Sequence, residues 1–132
     1  MENLYIPKSK GQFFVPEVNF NAETGICELL GESYLENTLA FYDELSDWIY
    51  LFTSEIKKPI TLNVKLTYYN TSSSRRLLEL IFILKNYKDN GGEVEINWYY
   101  DEDSKQLIFE DVDDMMVESD MFIKLIPLPP SI

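Results

Sequence analysis

The apolar positions of this chain switch between two spacings, and each switch marks an element. Glu17-Val18-Asn19-Phe20 alternates, Asn21-Ala22-Glu23-Thr24-Gly25 interrupts, and Ile26-Cys27-Glu28-Leu29-Leu30 follows, the pattern of a β-hairpin around a glycine-containing turn. Over 37–55 the spacing changes. Phe41, Tyr42, Leu45, Trp48, Ile49 and Phe52 fall on one helical stripe. Lys57-Lys58-Pro59 then sets cations near a helix C-terminus, followed by a breaker.

Alternation returns in Ile60-Leu62-Val64-Leu66-Tyr68 against Thr61-Asn63-Lys65-Thr67-Tyr69, a predicted strand. Leu77, Leu80, Ile81, Leu84 and Tyr87 give a second helical stripe, closed by Asn90-Gly91-Gly92. A second alternating strand carries Val94, Ile96, Trp98 and Tyr100 against Glu95, Asn97 and Tyr99. Strand, helix, strand with short connections predicts a parallel pair with a right-handed crossover. Parallel strands covered on both faces usually read as continuous apolar runs, and these alternate instead. The reading that satisfies both is an α/β fold of two layers: a mixed sheet with helices packed on one face and the other face largely open. A third helix is expected over 103–118 with Leu107, Ile108, Val112, Met115 and Met116 inward, and a last strand over 122–126. The prolines at 127, 129 and 130 end regular structure and satisfy a weak P-x-x-P pattern.

Neither repeats nor linker-like shifts interrupt this order, so 1–132 reads as one domain. The N-terminal residues lack the basic start and apolar run of a secretory signal, and no stretch approaches the roughly 20 apolar residues of a membrane span. A lone cysteine, Cys27, excludes an internal disulfide, which fits a cytoplasmic setting. The net charge of −12 disfavours nucleic acid and anionic membrane as partners. It suits solubility and docking onto basic protein patches.

Candidate chemistry is sparse. Without histidine the usual neutral-pH base and the nucleophile–histidine pairs are missing. A chain with one cysteine and no histidine does not build an ordinary zinc site. No phosphate-cradling glycine loop opens a helix. Asp101-Glu102-Asp103 and Asp111, Asp113 and Asp114 lack the spacing of a calcium loop and read as solvated charge, so no metal, cofactor or catalytic residue is assigned. Cys27 reads as a small buried apolar residue, and Trp48 and Trp98 read as core.

One segment breaks local rules. Asn70-Thr71-Ser72-Ser73-Ser74-Arg75-Arg76 joins the central strand to the second helix. A helix cap needs one acceptor of this kind, and here five polar residues stand in a row. Two arginines then occupy the positive end of the helix dipole, with Arg75 placed to pair with Glu79. Free amides, hydroxyls and arginines together predict an electropositive spot suited to an anion, and phosphate on one of the hydroxyls is the economical choice. Plain helix capping is the alternative.

Pro16-Glu17-Val18-Asn19-Phe20, Gly31-Glu32-Ser33-Tyr34, Tyr69-Asn70-Thr71-Ser72-Ser73 and Asn97-Trp98-Tyr99-Tyr100-Asp101 occur in an order that resembles the SiaC family of bacterial regulatory phosphoproteins. The resemblance covers nearly the whole chain and is loose around Asp111-Val112-Asp113-Asp114. It implies a fold like that of anti-sigma-factor antagonists (STAS-like) and phosphorylation of Thr71, with Asn70, Ser72, Ser73, Ser74, Arg75 and Arg76 as the phosphate's surroundings or docking surface. It further implies a protein kinase, a PP2C-type phosphatase, and a diguanylate cyclase or other signalling protein activated by the unphosphorylated form, in cyclic di-GMP and biofilm signalling. The chain is thus expected to be a switched adaptor and no enzyme. Its rival is a constitutive binding module using an open sheet face of Thr61, Asn63, Lys65, Tyr69, Asn97 and Tyr99.

Overall fold

A computed structural model describes residues 1–129. Its main sheet has six strands: β1 (Leu4–Ile6), β4 (Glu17–Phe20), β5 (Ile26–Ser33), β6 (Ile60–Tyr69), β7 (Val94–Tyr100) and β8 (Lys124–Pro127), in that spatial order. Two short strands, β2 (Ser9–Lys10) and β3 (Phe14–Val15), form a separate arm. The β1–β4 and β4–β5 pairs are antiparallel, and β5–β6, β6–β7 and β7–β8 are parallel. Helices α1 (Thr38–Leu51), α2 (Thr71–Asp89) and α3 (Lys105–Ser119) fill the three parallel crossovers, with α2 touching both of the others. The fold is the two-layer mixed architecture read from the sequence.

The predicted hairpin is present, with Glu17 opposite Leu30 and Phe20 opposite Cys27. Gly25 turns its corner at φ +73, where only glycine is unstrained. The α1 stripe buries Tyr42, Leu45, Trp48 and Ile49. Past Leu51 the helix widens into a π-turn over Phe52–Ile56. Hydroxyls account for the widening: Thr53 Oγ1 donates to the Ile49 carbonyl (2.9 Å) and Ser54 Oγ to that of Leu51 (3.3 Å), in competition with backbone amides.

Facing the helices, β5, β6 and β7 bury Cys27, Leu29, Leu62, Val64, Leu66, Ile96 and Trp98, each almost fully. A buried aliphatic or aromatic side chain of this kind contributes about 1.5–3 kcal/mol. Burial pushes the Cys27 thiol far up, so it is the inert apolar residue expected. Trp48 donates its Nε1–H to the Glu2 carbonyl (2.9 Å), and both tryptophans are core.

The alternation of β6 fails at one point. Gly31 pairs with Leu66 and Glu32 with Tyr68, which leaves Thr67 as an extra residue in a β-bulge. Tyr68 is therefore exposed, not apolar-face, and Tyr69 turns to the helix side instead of joining the open face. Gly31, at φ +101 on the partner strand, supplies the backbone freedom beside this irregularity. The remaining open face is self-paired. Lys65 Nζ bonds Glu28 Oε2 (2.9 Å) and sits 4.9 Å from the Tyr99 ring centroid. Asn97, expected to be open, is buried and donates to Asn63 Oδ1 (2.9 Å) and Glu95 Oε2 (3.1 Å).

Two further expectations shift. In α3 the inward residues are Ile108, Val112, Met115 and Ser119; Leu107 is 63% exposed, because it falls off the stripe that Ile108 begins, and Met116 is only half-buried. The last strand starts at Lys124 and not at Phe122, which is exposed. Pro130, the second proline of the P-x-x-P pattern, lies outside the described residues.

A Cβ built on Gly25 would lie 2.2 Å from the Pro59 carbonyl oxygen, whereas one on Gly91, also at positive φ, meets open space. Gly91→Ala should cost about 1–2 kcal/mol from backbone strain alone. Gly25→Ala should cost about 2–5 kcal/mol, since overpacking adds its own term. Equal urea midpoints for the two variants would remove the packing role of Gly25.

Candidate functional site: the first turn of α2 and its groove

The rule-breaking segment forms the start of α2, and the structure gives its polar residues different tasks. Asn70 is the cap: in extended backbone, its Oδ1 accepts the Ser73 N–H at 2.9 Å. Its own N–H donates to the Ser33 carbonyl at 3.2 Å, which ties the helix start to the end of β5. Ser73 is fully buried. Its Oγ lies 2.8 Å from Ser33 Oγ and donates to the Ser33 carbonyl at 3.1 Å, while Ser33 Oγ also lies 2.8 Å from the Tyr42 hydroxyl. One proton order satisfies all three bonds: Tyr42 to Ser33 Oγ, Ser33 Oγ to Ser73 Oγ, and Ser73 Oγ to the Ser33 carbonyl. Burial pushes the Tyr42 phenol up to about 12.

Ser72 is exposed but occupied, with its Oγ 3.0 Å from Thr38 Oγ1 on α1 and 3.2 Å from Asn70 Oδ1. Ser74 is half-buried. Thr71 is exposed, and its hydroxyl has no hydrogen-bond partner among the described residues.

Thr71 stands at the rim of an open groove of ≈ 490 Å³ between α2 and α3. Leu78, Phe82 and Met115 give it apolar lining; Asp111, Asp114 and Glu118 of α3 line it with Arg75 and Glu79 of α2. This corrects the electropositive spot expected from sequence. Arg76, and not Arg75, pairs with Glu79, through two bonds of 2.8 and 2.9 Å. Arg75 lines the groove together with the α3 carboxylates and forms no ion pair among the described residues.

Asp111 also anchors α3. Its Oδ2 accepts the Tyr69 hydroxyl at 3.0 Å, and Tyr69 packs edge-on to Trp98 with ring centroids 5.8 Å apart. Burial first, then the Asp111 charge and hydrogen bond, raise the Tyr69 phenol well above its ordinary range. A hydrogen bond to a charged group of this kind contributes about 1.5–3 kcal/mol. Asp101 has a local duty: its Oδ1 accepts Ser104 Oγ (2.6 Å) and Ser104 N–H (2.9 Å) ahead of α3, and these bonds hold its carboxyl below the usual range. Among the described residues no group of Asp, Glu or Cys side chains is placed to hold a metal ion.

The blocks quoted above as family-like thus come together physically. Ser33 of Gly31-Glu32-Ser33-Tyr34 holds Ser73 of Tyr69-Asn70-Thr71-Ser72-Ser73, and Tyr69 of that block packs on Trp98 of Asn97-Trp98-Tyr99-Tyr100-Asp101. The family model described as SiaC family regulatory phosphoprotein matches residues 7–128. This chain belongs to that family. An uncharacterized protein of Pseudomonas aeruginosa strain UCBPP-PA14 is 28% identical over 101 residues, which cover 76% of this chain and 78% of the relative. Among solved structures, apo-SiaC from Pseudomonas aeruginosa superposes with a TM-score of 0.84 at 24% identity, covering 96% of this chain and 99% of that one. A second match, at TM-score 0.84, 23% identity and 95% and 99% coverage, comes from the crystal structure of the diguanylate cyclase SiaD in complex with its activator SiaC, from the same organism. These likenesses establish the SiaC-family fold for this chain. No helix among the described residues is long and apolar enough to cross a membrane.

Three features of the site were missed in sequence: the Ser33–Tyr42–Ser73 network, the Tyr69–Asp111 bond and the groove itself. Gly31 inside a strand was the one available signal, since such a glycine often marks a bulge.

Removing the Tyr42 hydroxyl leaves Ser33 Oγ without its donor, so Tyr42→Phe should cost about 1–3 kcal/mol at neutral pH. The folded chain keeps the Tyr42 proton to about pH 12, while the unfolded chain loses it near pH 10. The unfolded state thus binds fewer protons above pH 10, and wild-type stability falls by about 3 kcal/mol across that window. The wild-type advantage over Tyr42→Phe should shrink and close between those values. A constant advantage in urea titrations up to pH 12 would contradict the network.

Proposed function

We propose that this chain is a phosphorylation-switched signalling adaptor: unphosphorylated, it binds and activates a diguanylate cyclase, and phosphorylation of Thr71 releases that partner. The observation that carries the reading is the division of labour in the first turn of α2. Ser73 is buried, Ser72 and Asn70 are engaged, and Thr71 presents an exposed, unengaged hydroxyl at the rim of the groove. Membership in a family of regulatory phosphoproteins supports it. The match to SiaC, which activates SiaD in Pseudomonas aeruginosa, supports the kind of partner. In this reading a protein kinase and a PP2C-type phosphatase set the phosphate level in the cytoplasm, and the chain itself performs no catalysis.

The sign of the switch follows from competing terms. A phosphate on Thr71 adds about −1.5 to −2 charges. The dipole and free amides of α2 stabilise it by roughly 0.3–2 kcal/mol in the free domain. Docking a partner over it desolvates a dianion at a cost of several kcal/mol unless the partner brings cations. Asp111, Asp114 and Glu118 across the groove add repulsion, and Arg76 is already spent on Glu79. Release therefore wins. The constitutive alternative is weaker, because Lys65, Glu28, Asn63 and Asn97 on the sheet face bond one another and leave few free groups for a partner.

Phosphothreonine installed at position 71 should weaken binding to the cyclase about a thousandfold, the equivalent of about 4 kcal/mol, and abolish activation. Thr71→Ala should retain both. Calorimetric titration of the unmodified, phosphorylated and alanine forms decides the matter, and equal affinities for all three would leave the constitutive module.

A further inference from the structure

We infer that Tyr69 and Asp111 are positioning residues of the switch, their hydrogen bond holding α3 against the phosphosite end of α2 so that a phosphate at Thr71 acts on the groove wall through the charge of Asp111. This rests on the reading of Thr71 as the phosphorylated residue and adds the route by which the phosphate is felt.

Four observations converge. Asp111 and Thr71 line the same groove from opposite helices. Asp111 Oδ2 accepts the Tyr69 hydroxyl at 3.0 Å, the one side-chain hydrogen bond from the β6–α2 junction to α3 among the described residues. Tyr69 reaches α3 only because the bulge at Thr67 reverses the facing of the strand end. Tyr69 and Thr71 flank the cap Asn70, which Ser73 and Ser33 hold rigidly, so a change at position 71 cannot be absorbed by fraying of the helix start.

A dianion entering this groove repels the Asp111 carboxylate. Arg75 is the only cation lining the groove among the described residues, against the carboxylates of Asp111, Asp114 and Glu118 from α3. Asp111 relieves the repulsion by moving away, and Tyr69 loses its acceptor. α3 then gives up a tether to the sheet, and the acidic wall of the groove shifts. Phosphorylation would thus remake the docking surface as well as obstruct it. A charge-neutral acceptor at 111 would keep the tether and lose the sensitivity.

The test compares wild type, Asp111→Asn and Tyr69→Phe, each with threonine or phosphothreonine at 71, by amide hydrogen exchange over 105–119 and by titration with the cyclase. Phosphorylation of wild type should speed exchange in α3 about tenfold or more, on the scale of one lost charge-assisted bond. Asp111→Asn should flatten that response to below about threefold while keeping the unphosphorylated rate, because the Asn carbonyl still accepts from Tyr69. Tyr69→Phe should show fast α3 exchange without phosphate. An undiminished phosphate response in Asp111→Asn, or slow exchange in Tyr69→Phe, overturns the coupling. If phosphorylated wild type releases the cyclase with α3 unchanged, the switch stands and the coupling falls; if it keeps the cyclase, the switch itself falls.

Discussion

The arrangement of this molecule turns on one buried hydroxyl. Ser73 lies inside the protein, bonded to both the side chain and the carbonyl of Ser33, and Ser33 is bonded in turn to Tyr42. Those bonds join β5, α1 and α2 at one point and fix the rotation of α2 about its axis. Once Ser73 faces inward, helical geometry leaves Thr71 facing out and Leu77, Leu80, Ile81 and Leu84 facing the sheet. The same rotation carries Arg75, one turn beyond Thr71, to the α3 side. A buried polar network is stable only when every member is satisfied, and here a single proton order satisfies all three hydroxyls. Precision at an exposed threonine thus derives from a serine that no partner touches.

This division also resolves the surplus of polar residues that made the segment look like an over-provided cap. Asn70 caps, Ser73 anchors, Ser72 bridges to Thr38 of α1, and Thr71 is left outward. Most of the surplus disappears once Asn70, Ser72 and Ser73 are each seen to serve a different neighbour. Two of those neighbours, Ser33 and Thr38, are distant in sequence, as is Tyr42 behind Ser33, and no local rule reaches them.

The sequence was legible where one period governs a whole element and illegible where a period breaks. Alternation in 17–20 and 60–66 and the α1 and α2 stripes named the hairpin, the central strand and two helices, because one face of each is buried along its length. At Thr67 a single extra residue reverses the facing, so Tyr68 and Tyr69 exchange the sides that alternation assigns them. Leu107 was misassigned because α3 is bordered by both Leu107 and Ile108, and only packing chooses which begins the stripe. The short strands β1, β2 and β3 have too few residues for any period to show. Charge pairing was equally hidden: Arg75 and Arg76 are both within reach of Glu79 by spacing, and spacing alone does not choose Arg76.

Electrostatics explains why the site sits at a helix N-terminus and yet is no anion trap. The dipole and free amides of α2 favour negative charge at Thr71. The acidic wall of α3 opposes it, and the effect of each falls off within about a Debye length, ~8 Å at physiological salt. The dipole and free amides alone would hold an anion firmly. The acidic wall alone would repel one. Setting the two against each other leaves Thr71 in a field weaker than either would produce alone. Of the two arginines, Arg76 is neutralised by Glu79, while Arg75, one turn beyond Thr71, lines the groove without an ion pair among the described residues and is the cation left to offset the acidic wall.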